Sequence, residues 1–82
     1  MASLIRWNGP LHRFQEPLTI TRLQELVGGF VKFIELPCGD YLAANETDMR
    51  LFTRFNKNAE VFVGIAGPVY GDVVIFNEGE LA

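Results

Sequence analysis

Apolar residues in the first half of the chain recur at helical spacing and are then followed by two glycines. The apolar positions are Ile20, Leu23, Leu26 and Val27. A spacing of three or four residues places side chains on one side of a helix. Gly28 tolerates the left-handed backbone that often ends a helix, and Gly29 lets the chain leave in a new direction. The pattern predicts an amphipathic helix of about two turns with these residues on its buried side.

Two signals compete for the start of this helix. Thr19 is a candidate N-cap, and Leu18 and Leu23 on either side of it fit a hydrophobic staple. Thr21 with Gln24 offers a capping box as the alternative. With either cap, a helix starts in this segment.

A strand pair follows the glycines. Residues 30–36 are rich in Phe, Val and Ile, which favours a strand. Lys32 and Glu35 fall on opposite faces of that strand, which predicts partial exposure on both sides, as at a sheet edge. Residues 37–40 supply a turn, and residues 41–45 return as a second strand.

A second helix is predicted after this strand pair. Asn45, Thr47 or Asp48 can cap it, and it runs to about Phe55. Its apolar face consists of Met49, Leu51, Phe52 and Phe55. The polar run 56–58 breaks the helix.

The last third of the chain alternates in the manner of strands. Val61, Val63 and Ile65 predict one strand, and residues 72–76 predict the last, with a turn at Gly67 between them. We assign six phenylalanines mainly to the core: Phe30, Phe33, Phe52, Phe55, Phe62 and Phe76.

Three segments are expected from these elements. Residues 1–18 form an N-terminal arm or a hairpin, because two short β-favouring stretches flank the turn at residues 8–10. Residues 19–76 form a single α+β domain, and residues 77–82 form an acidic tail that frays. The predicted fold is a small, mostly antiparallel sheet of four or five strands with two short helices on one face.

Composition excludes several kinds of protein. The chain has 82 residues, of which 49% are hydrophobic, so it forms one small domain rather than a disordered tail. Its net charge of −3 provides no broad basic surface for duplex nucleic acid. Cys38 and His12 are its only cysteine and histidine, which argues against a disulfide framework or a Cys/His metal site. With no predicted leader or membrane span, we expect a cytoplasmic location.

The chain resembles a family of small bacteriophage and bacterial proteins catalogued as a domain of unknown function. The resemblance is carried by four stretches in order: LQELVGGFVKFIEL (23–36), Asn45-Glu46, FNKNAEVF (55–62) and GDVVIF (71–76). It covers about residues 19–76, and residues 1–18 show nothing of the family's pattern. The resemblance implies a phage or prophage setting and an α+β fold, and it implies no particular reaction.

Candidate binding residues centre on the predicted second helix. Arg50, Arg54 and Lys57 recur at i, i+4 and i+7, which places three positive charges on one stripe. The stripe is either a solvated helix face or a surface that binds phosphate or carboxylate groups. Polar neighbours that could add contacts are Asn45, Glu46, Asn56 and Asn58, and the candidate aromatic anchors are Trp7, Tyr41 and Tyr70.

Catalytic chemistry is only weakly indicated. A nucleophilic site would need Cys38 beside His12, with a third group to orient them. Four carboxylates that could meet near one end of the sheet are Glu35, Asp40, Glu46 and Asp72, although turn and cap residues have the same composition. The glycines do not form a phosphate-binding loop.

Together with the phage setting that the resemblance implies, the candidate binding residues predict a non-enzymatic phage accessory protein, in the cytoplasm of a bacterial host cell, that counters host defence by binding. In one mechanism, a homo-oligomer sequesters a phosphate-bearing nucleotide signal in pockets lined by Arg50, Arg54 and Tyr41. In the alternative, an exposed face docks onto a host defence nuclease or regulator and blocks it, as an anti-CRISPR protein does. Two other hypotheses are a metal-assisted hydrolase that uses Glu46 and Asp72, and a structural dimerisation module. No cofactor is predicted.

Overall fold

The fold is a five-stranded antiparallel sheet with short helices, in a computed structural model that describes residues 2–63 and 67–81. The strands are β1 (Ala2–Ile5), β2 (His12–Phe14), β3 (Val31–Glu35), β4 (Tyr41–Asn45) and β5 (Val73–Phe76). They lie in the order β2-β1-β5-β4-β3. The predicted α+β class is therefore confirmed.

The N-terminal segment belongs to the sheet. β1 and β2 form a hairpin in which Leu4 pairs with His12. On its other side β1 pairs with β5, with Ser3 opposite Ile75. Of the two alternatives for this segment, residues 2–14 adopt the hairpin.

Helix α1 (Ile20–Val27) begins and ends as predicted. Thr19 is its N-cap, because the Thr19 hydroxyl accepts a 3.0 Å hydrogen bond from the Arg22 N–H. Gly28 ends it with φ at 83°, and its N–H donates to the Gln24 carbonyl at 2.9 Å. Leu23 and Val27 are buried, but Ile20 is exposed, so its placement on the buried side is wrong.

Helix α2 (Glu46–Leu51) is shorter than predicted. Asn45 caps its start by accepting a 2.9 Å hydrogen bond from the Asp48 N–H. It ends at Leu51 because Phe52 takes a left-handed backbone conformation, with φ at 55°. The predicted extension to Phe55 is therefore wrong.

The strand predicted from Val61 and Val63 is also wrong, since helix α3 (Lys57–Val63) occupies this position. Asn56 is fully buried, and its side-chain amide oxygen accepts a 3.0 Å hydrogen bond from the Ala59 N–H. Asn56 thus acts as a helix cap. The cap favours a helix over the strand that the β-branched residues Val61 and Val63 predict. Ile65, the third member of the predicted strand, lies outside the described residues.

Each face of the sheet carries its own core. On the first face, α1 covers residues from β1, β4 and β5: Ala2, Leu4, Ala43, Val74 and Phe76. On the second face, Met49 of α2 and Ala59 of α3 pack with Ile5, Leu36, Leu42, Ala44, Val69 and Val73. The helices therefore lie on both faces, whereas the sequence predicted one covered face.

The assignment of phenylalanines to the core is wrong for four of them. Phe30 and Phe52 are 73% and 71% exposed, and Phe33 and Phe55 are 44% and 42% exposed. Phe33 lies on β3, which is an edge strand of the sheet. Phe52 and Phe55 come after α2, because that helix ends earlier than predicted. Phe76 is buried as predicted, and the Phe62 side chain lies outside the described residues.

The C-terminal segment is anchored through Leu81, so the prediction that it frays is wrong there. Residues 78–80 form a 3₁₀ turn, and the Asn77 N–H donates to the Glu80 carboxylate at 2.9 Å. The Leu18 N–H donates to the Glu80 carbonyl at 3.0 Å. Leu81 then packs against the core of the first face.

Within the described ranges, no helix has the length and apolar character needed to cross a bilayer.

Candidate functional site

An exposed aromatic cluster follows α2. Phe52 and Phe55 both contact Tyr70 edge to face, with ring centroids 5.5 Å and 5.7 Å from the tyrosine ring. Leu51, which precedes Phe52 in the sequence, is also exposed. We call these four residues the aromatic surface. Tyr70 was a predicted aromatic anchor, whereas Phe52 and Phe55 were predicted to lie in the core.

The loop that carries the aromatic surface has an unusual backbone. Phe52 and Arg54 are the two non-glycine residues with positive φ, at 55° and 56°, within the described part of the chain. A left-handed conformation costs about 1–2 kcal/mol for a residue with a side chain. A bulky residue there is uncommon, so the surrounding contacts must hold the loop in place.

Asp48 supplies those contacts. Its carboxylate, which is largely buried, accepts a hydrogen bond from the Thr53 hydroxyl at 2.8 Å and another from the Arg54 guanidinium. The hydrogen bond to Asp48 raises the pKa of Arg54, although partial burial acts in the opposite direction. The Thr53 N–H also donates to the Asp48 carbonyl at 3.1 Å. One acidic side chain thus fixes the loop at two consecutive residues.

Gly71 contacts the same loop and lies against the Asp48 carboxylate. Its N–H donates to the Arg54 carbonyl at 2.7 Å, and its φ is 77°. A Cβ at this position would overlap the Asp48 carboxylate. The absence of a side chain at Gly71 therefore leaves the space that the Asp48–Arg54 pair occupies.

Two of the predicted ligand-binding asparagines are structural. The Asn56 amide donates to the carbonyls of Ile5 at 2.9 Å and Gly71 at 2.8 Å. The Asn45 amide donates to the Val27 carbonyl at 3.0 Å. Both side chains are buried, so neither presents its amide at the surface for the predicted ligand contact. Asn58 is exposed and donates to the Arg6 carbonyl at 3.1 Å.

The predicted cationic stripe does not form. Arg50 lies on α2, Arg54 follows the end of that helix, and Lys57 begins α3. Arg50 instead lines a cleft of about 470 Å³ with Val31, Lys32 and Glu46. The helical spacing that related the three cations is interrupted at Phe52, so their side chains do not share one helix face.

Tyr41 lies at the opposite end of β4 from α2. It lines an apolar groove of about 290 Å³ on the first face, together with Phe33, Phe76, Ile20, Glu78 and Leu81. Its ring stacks on Phe76 with centroids 6.1 Å apart. Within one chain, the structure therefore does not bring Tyr41 together with Arg50 and Arg54. Trp7, the remaining aromatic candidate, is half-buried, and its backbone N–H donates to the Asp72 carboxylate at 3.0 Å.

The candidate catalytic residues are dispersed. Cys38 lies in the hairpin between β3 and β4, while His12 lies on β2 at the opposite edge of the sheet. Glu35 is at the hairpin end of β3, whereas Glu46 follows the far end of β4. The four carboxylates therefore do not converge. Across residues 2–63 and 67–81, no group of three or more Asp, Glu, His or Cys side chains is placed to hold a metal ion.

Sequence reasoning missed most of the aromatic surface because Phe52 and Phe55 fit a helical pattern. The available signal was Asn56, a strong capping residue that marks the start of a new helix after a short break.

Comparison with protein families, curated proteins and solved structures finds no match to this chain. The resemblance to the phage and bacterial family therefore stays a prediction.

Proposed function

We propose that this chain is a non-enzymatic binding module that docks a partner protein through the aromatic surface. The observation that carries the proposal is the exposure of Phe52, which at 71% contributes little to the core. Exposed apolar groups that cluster together are typical of interaction sites. Aromatic residues are also frequent among the residues that dominate binding energy.

The rigidity of the loop supports a binding role. A strained backbone persists only where the surrounding structure holds it, and such strain is frequent at functional sites. Here the Asp48 carboxylate holds Arg54, which is one of the two left-handed residues, and Thr53, which lies between them. A preformed aromatic surface loses less conformational entropy on binding than a mobile one.

The resemblance suggests the setting of this function. In a phage or prophage, the partner would be a host defence nuclease or regulator that the module blocks by occupying its surface. This part of the proposal rests on the resemblance to the phage and bacterial family, and not on the geometry of the site.

A second candidate function is the binding of a phosphate-bearing nucleotide signal. It is favoured by the cleft that Lys32 and Arg50 line, since neither cation forms an ion pair with another described residue. The volume of this cleft lies within the range of small-molecule sites. Glu46 in the same cleft weakens the case, because a carboxylate repels phosphate.

The proposal is tested by replacing Phe52 without disturbing the loop. Asn adopts the left-handed conformation more readily than Phe, so Phe52→Asn removes the ring and preserves the backbone. Phe30→Asn is the matched control, since Phe30 is equally exposed elsewhere. Tagged proteins are used to capture partners from a bacterial lysate, and the captured proteins are identified by mass spectrometry.

We expect one protein to be captured by the wild type and by Phe30→Asn and to be lost with Phe52→Asn. Equal capture by all three proteins would refute docking through the aromatic surface. Circular dichroism checks that both variants remain folded.

A further inference from the structure

The apolar groove on the first face contains two of the large apolar side chains that the core leaves exposed. Ile20 is 45% exposed and Phe33 is 44% exposed. We call this groove, of about 290 Å³, the Tyr41 groove, and its lining consists of Ile20, Phe33, Tyr41, Phe76, Glu78 and Leu81. Small-molecule sites are mostly apolar concavities with a few polar groups. The volume lies near the lower end of their range, so the groove suits a small ligand.

The register of the sheet brings three aromatic rings to this groove. Tyr41 on β4 lies directly opposite Phe76 on β5, and their rings stack with an interplanar angle of 28°. Phe33 on β3 meets the same Phe76 ring edge to face, with centroids 6.2 Å apart and an interplanar angle of 78°. Because these two angles differ by 50°, the planes of the Phe33 and Tyr41 rings are inclined to each other by at least that much. The rings therefore form walls of different orientation around one space.

The charged groups around the groove are acidic. Glu78 lines it, and Glu35 lies directly opposite Tyr41 in the β3–β4 ladder, so Glu35 and Tyr41 share the first face. Neither carboxylate forms an ion pair with another described residue. Among the described residues, no Lys, Arg or His side chain lines the groove. Lys32, beside Phe33 in the sequence, lies on the opposite face, because successive residues of a strand alternate between faces.

Aromatic walls and a carboxylate together select an organic cation. The face of an aromatic ring carries partial negative charge and attracts an ammonium group. Methyl or methylene groups on that ammonium suit the apolar lining, and Glu78 supplies the opposite charge. A neutral apolar ligand would gain nothing from the charge of Glu78, and a phosphate or carboxylate ligand would be repelled by it.

We propose that the Tyr41 groove binds a small organic cation, an ammonium ion that carries methyl or methylene groups. The ammonium lies against the Phe33 and Tyr41 rings and beside the Glu78 carboxylate. A ligand with a phosphate next to its ammonium, such as a phospholipid headgroup, is disfavoured because Glu78 and Glu35 repel the phosphate. The groove lies on the first face, whereas the aromatic surface follows α2, which packs on the second face. This site is therefore independent of the proposed docking of a partner protein.

The first test compares choline with 3,3-dimethylbutan-1-ol, a neutral molecule of the same shape in which carbon replaces the ammonium nitrogen. Binding is followed by NMR at constant ionic strength, through the backbone amide shifts of four groove residues: Phe33, Tyr41, Phe76 and Glu78. We expect choline to shift these amides and to bind about fivefold or more tightly than the alcohol, because only choline gains the cation–π contacts and the attraction to Glu78. Equal affinity for the two probes, or no shift of these amides with choline, would overturn the proposal.

The second test removes each attraction in turn. Glu78→Gln keeps the shape of the side chain and removes its charge, so choline should bind about threefold more weakly and the alcohol equally well. The control is Glu60→Gln, which makes the same change in net charge at an exposed position of α3 and should leave choline binding unchanged.

Phe33→Leu replaces a half-exposed ring by an apolar side chain, so it should reduce the preference for choline over the alcohol. The dispersion of the amide spectrum checks that each variant is folded. Choline affinity that is unchanged in Glu78→Gln, or that falls equally in Glu60→Gln, would contradict the proposed site.

Discussion

Replacing Gly71 by alanine tests how tightly the loop after α2 is held. Gly71 has φ at 77°, and an added Cβ would overlap the Asp48 carboxylate. The control is Gly39→Ala, because Gly39 has φ at 94° and nothing within 4 Å of the added Cβ. Both variants incur the same kind of backbone penalty, so their difference isolates the contact with Asp48.

The magnitudes follow from these two environments. The left-handed backbone costs alanine about 1–2 kcal/mol at either position. At Gly71 the carboxylate must also move away from Thr53 and Arg54, which adds about 2 kcal/mol for weakened charged hydrogen bonds. We therefore expect Gly71→Ala to lower the free energy of unfolding by about 3–4 kcal/mol and Gly39→Ala by about 1–2 kcal/mol.

Urea unfolding followed by circular dichroism measures this difference. With an m-value of about 1 kcal/mol per molar for a domain of this size, the two midpoints should differ by about 2 M. Repeating both substitutions in an Asp48→Ala background should make their costs similar, since the overlapping carboxylate is gone. Equal midpoint shifts in the wild-type background would refute the steric role of Asp48.

Two further substitutions test other supports of the fold by the same urea assay. Asn56→Ala should cost about 3 kcal/mol, because it removes the amide that donates to the buried Ile5 and Gly71 carbonyls and also removes a helix cap. Its control Asn58→Ala, at an exposed site, should cost less than about 1 kcal/mol, and equal costs would contradict the assigned role of Asn56. Thr19→Ala should cost about 1 kcal/mol through loss of the α1 N-cap, and an unchanged midpoint would show that another group caps the helix.

Local signals that agreed with one another made α1 predictable. The Thr19 cap, the staple formed by Leu18 and Leu23, and the Gly28 terminator lie within one short segment and all favour the same helix. The β3–β4 hairpin was predictable for the same reason, because two β-favouring runs flank a turn.

Non-local contacts explain what the sequence did not reveal. Asn56 caps α3 while its amide reaches Ile5 and Gly71, which are distant in the sequence, so the β-branched residues after it were misread as a strand. Phe52 occupies a left-handed position where glycine is usual, and the contacts of Asp48 that hold it are visible only in the folded chain. The aromatic surface depends on both, so hydrophobic periodicity alone assigned its phenylalanines to the core.

Native mass spectrometry tests the proposal that this chain binds a partner protein. The tagged protein is purified gently from bacteria before and after phage infection, so that one spectrum reports subunit number and bound mass together. We expect an added mass equal to that of a whole protein, present for the wild type and absent for Phe52→Asn. An added mass of only several hundred daltons, unchanged by Phe52→Asn, would contradict it and favour a small-molecule ligand.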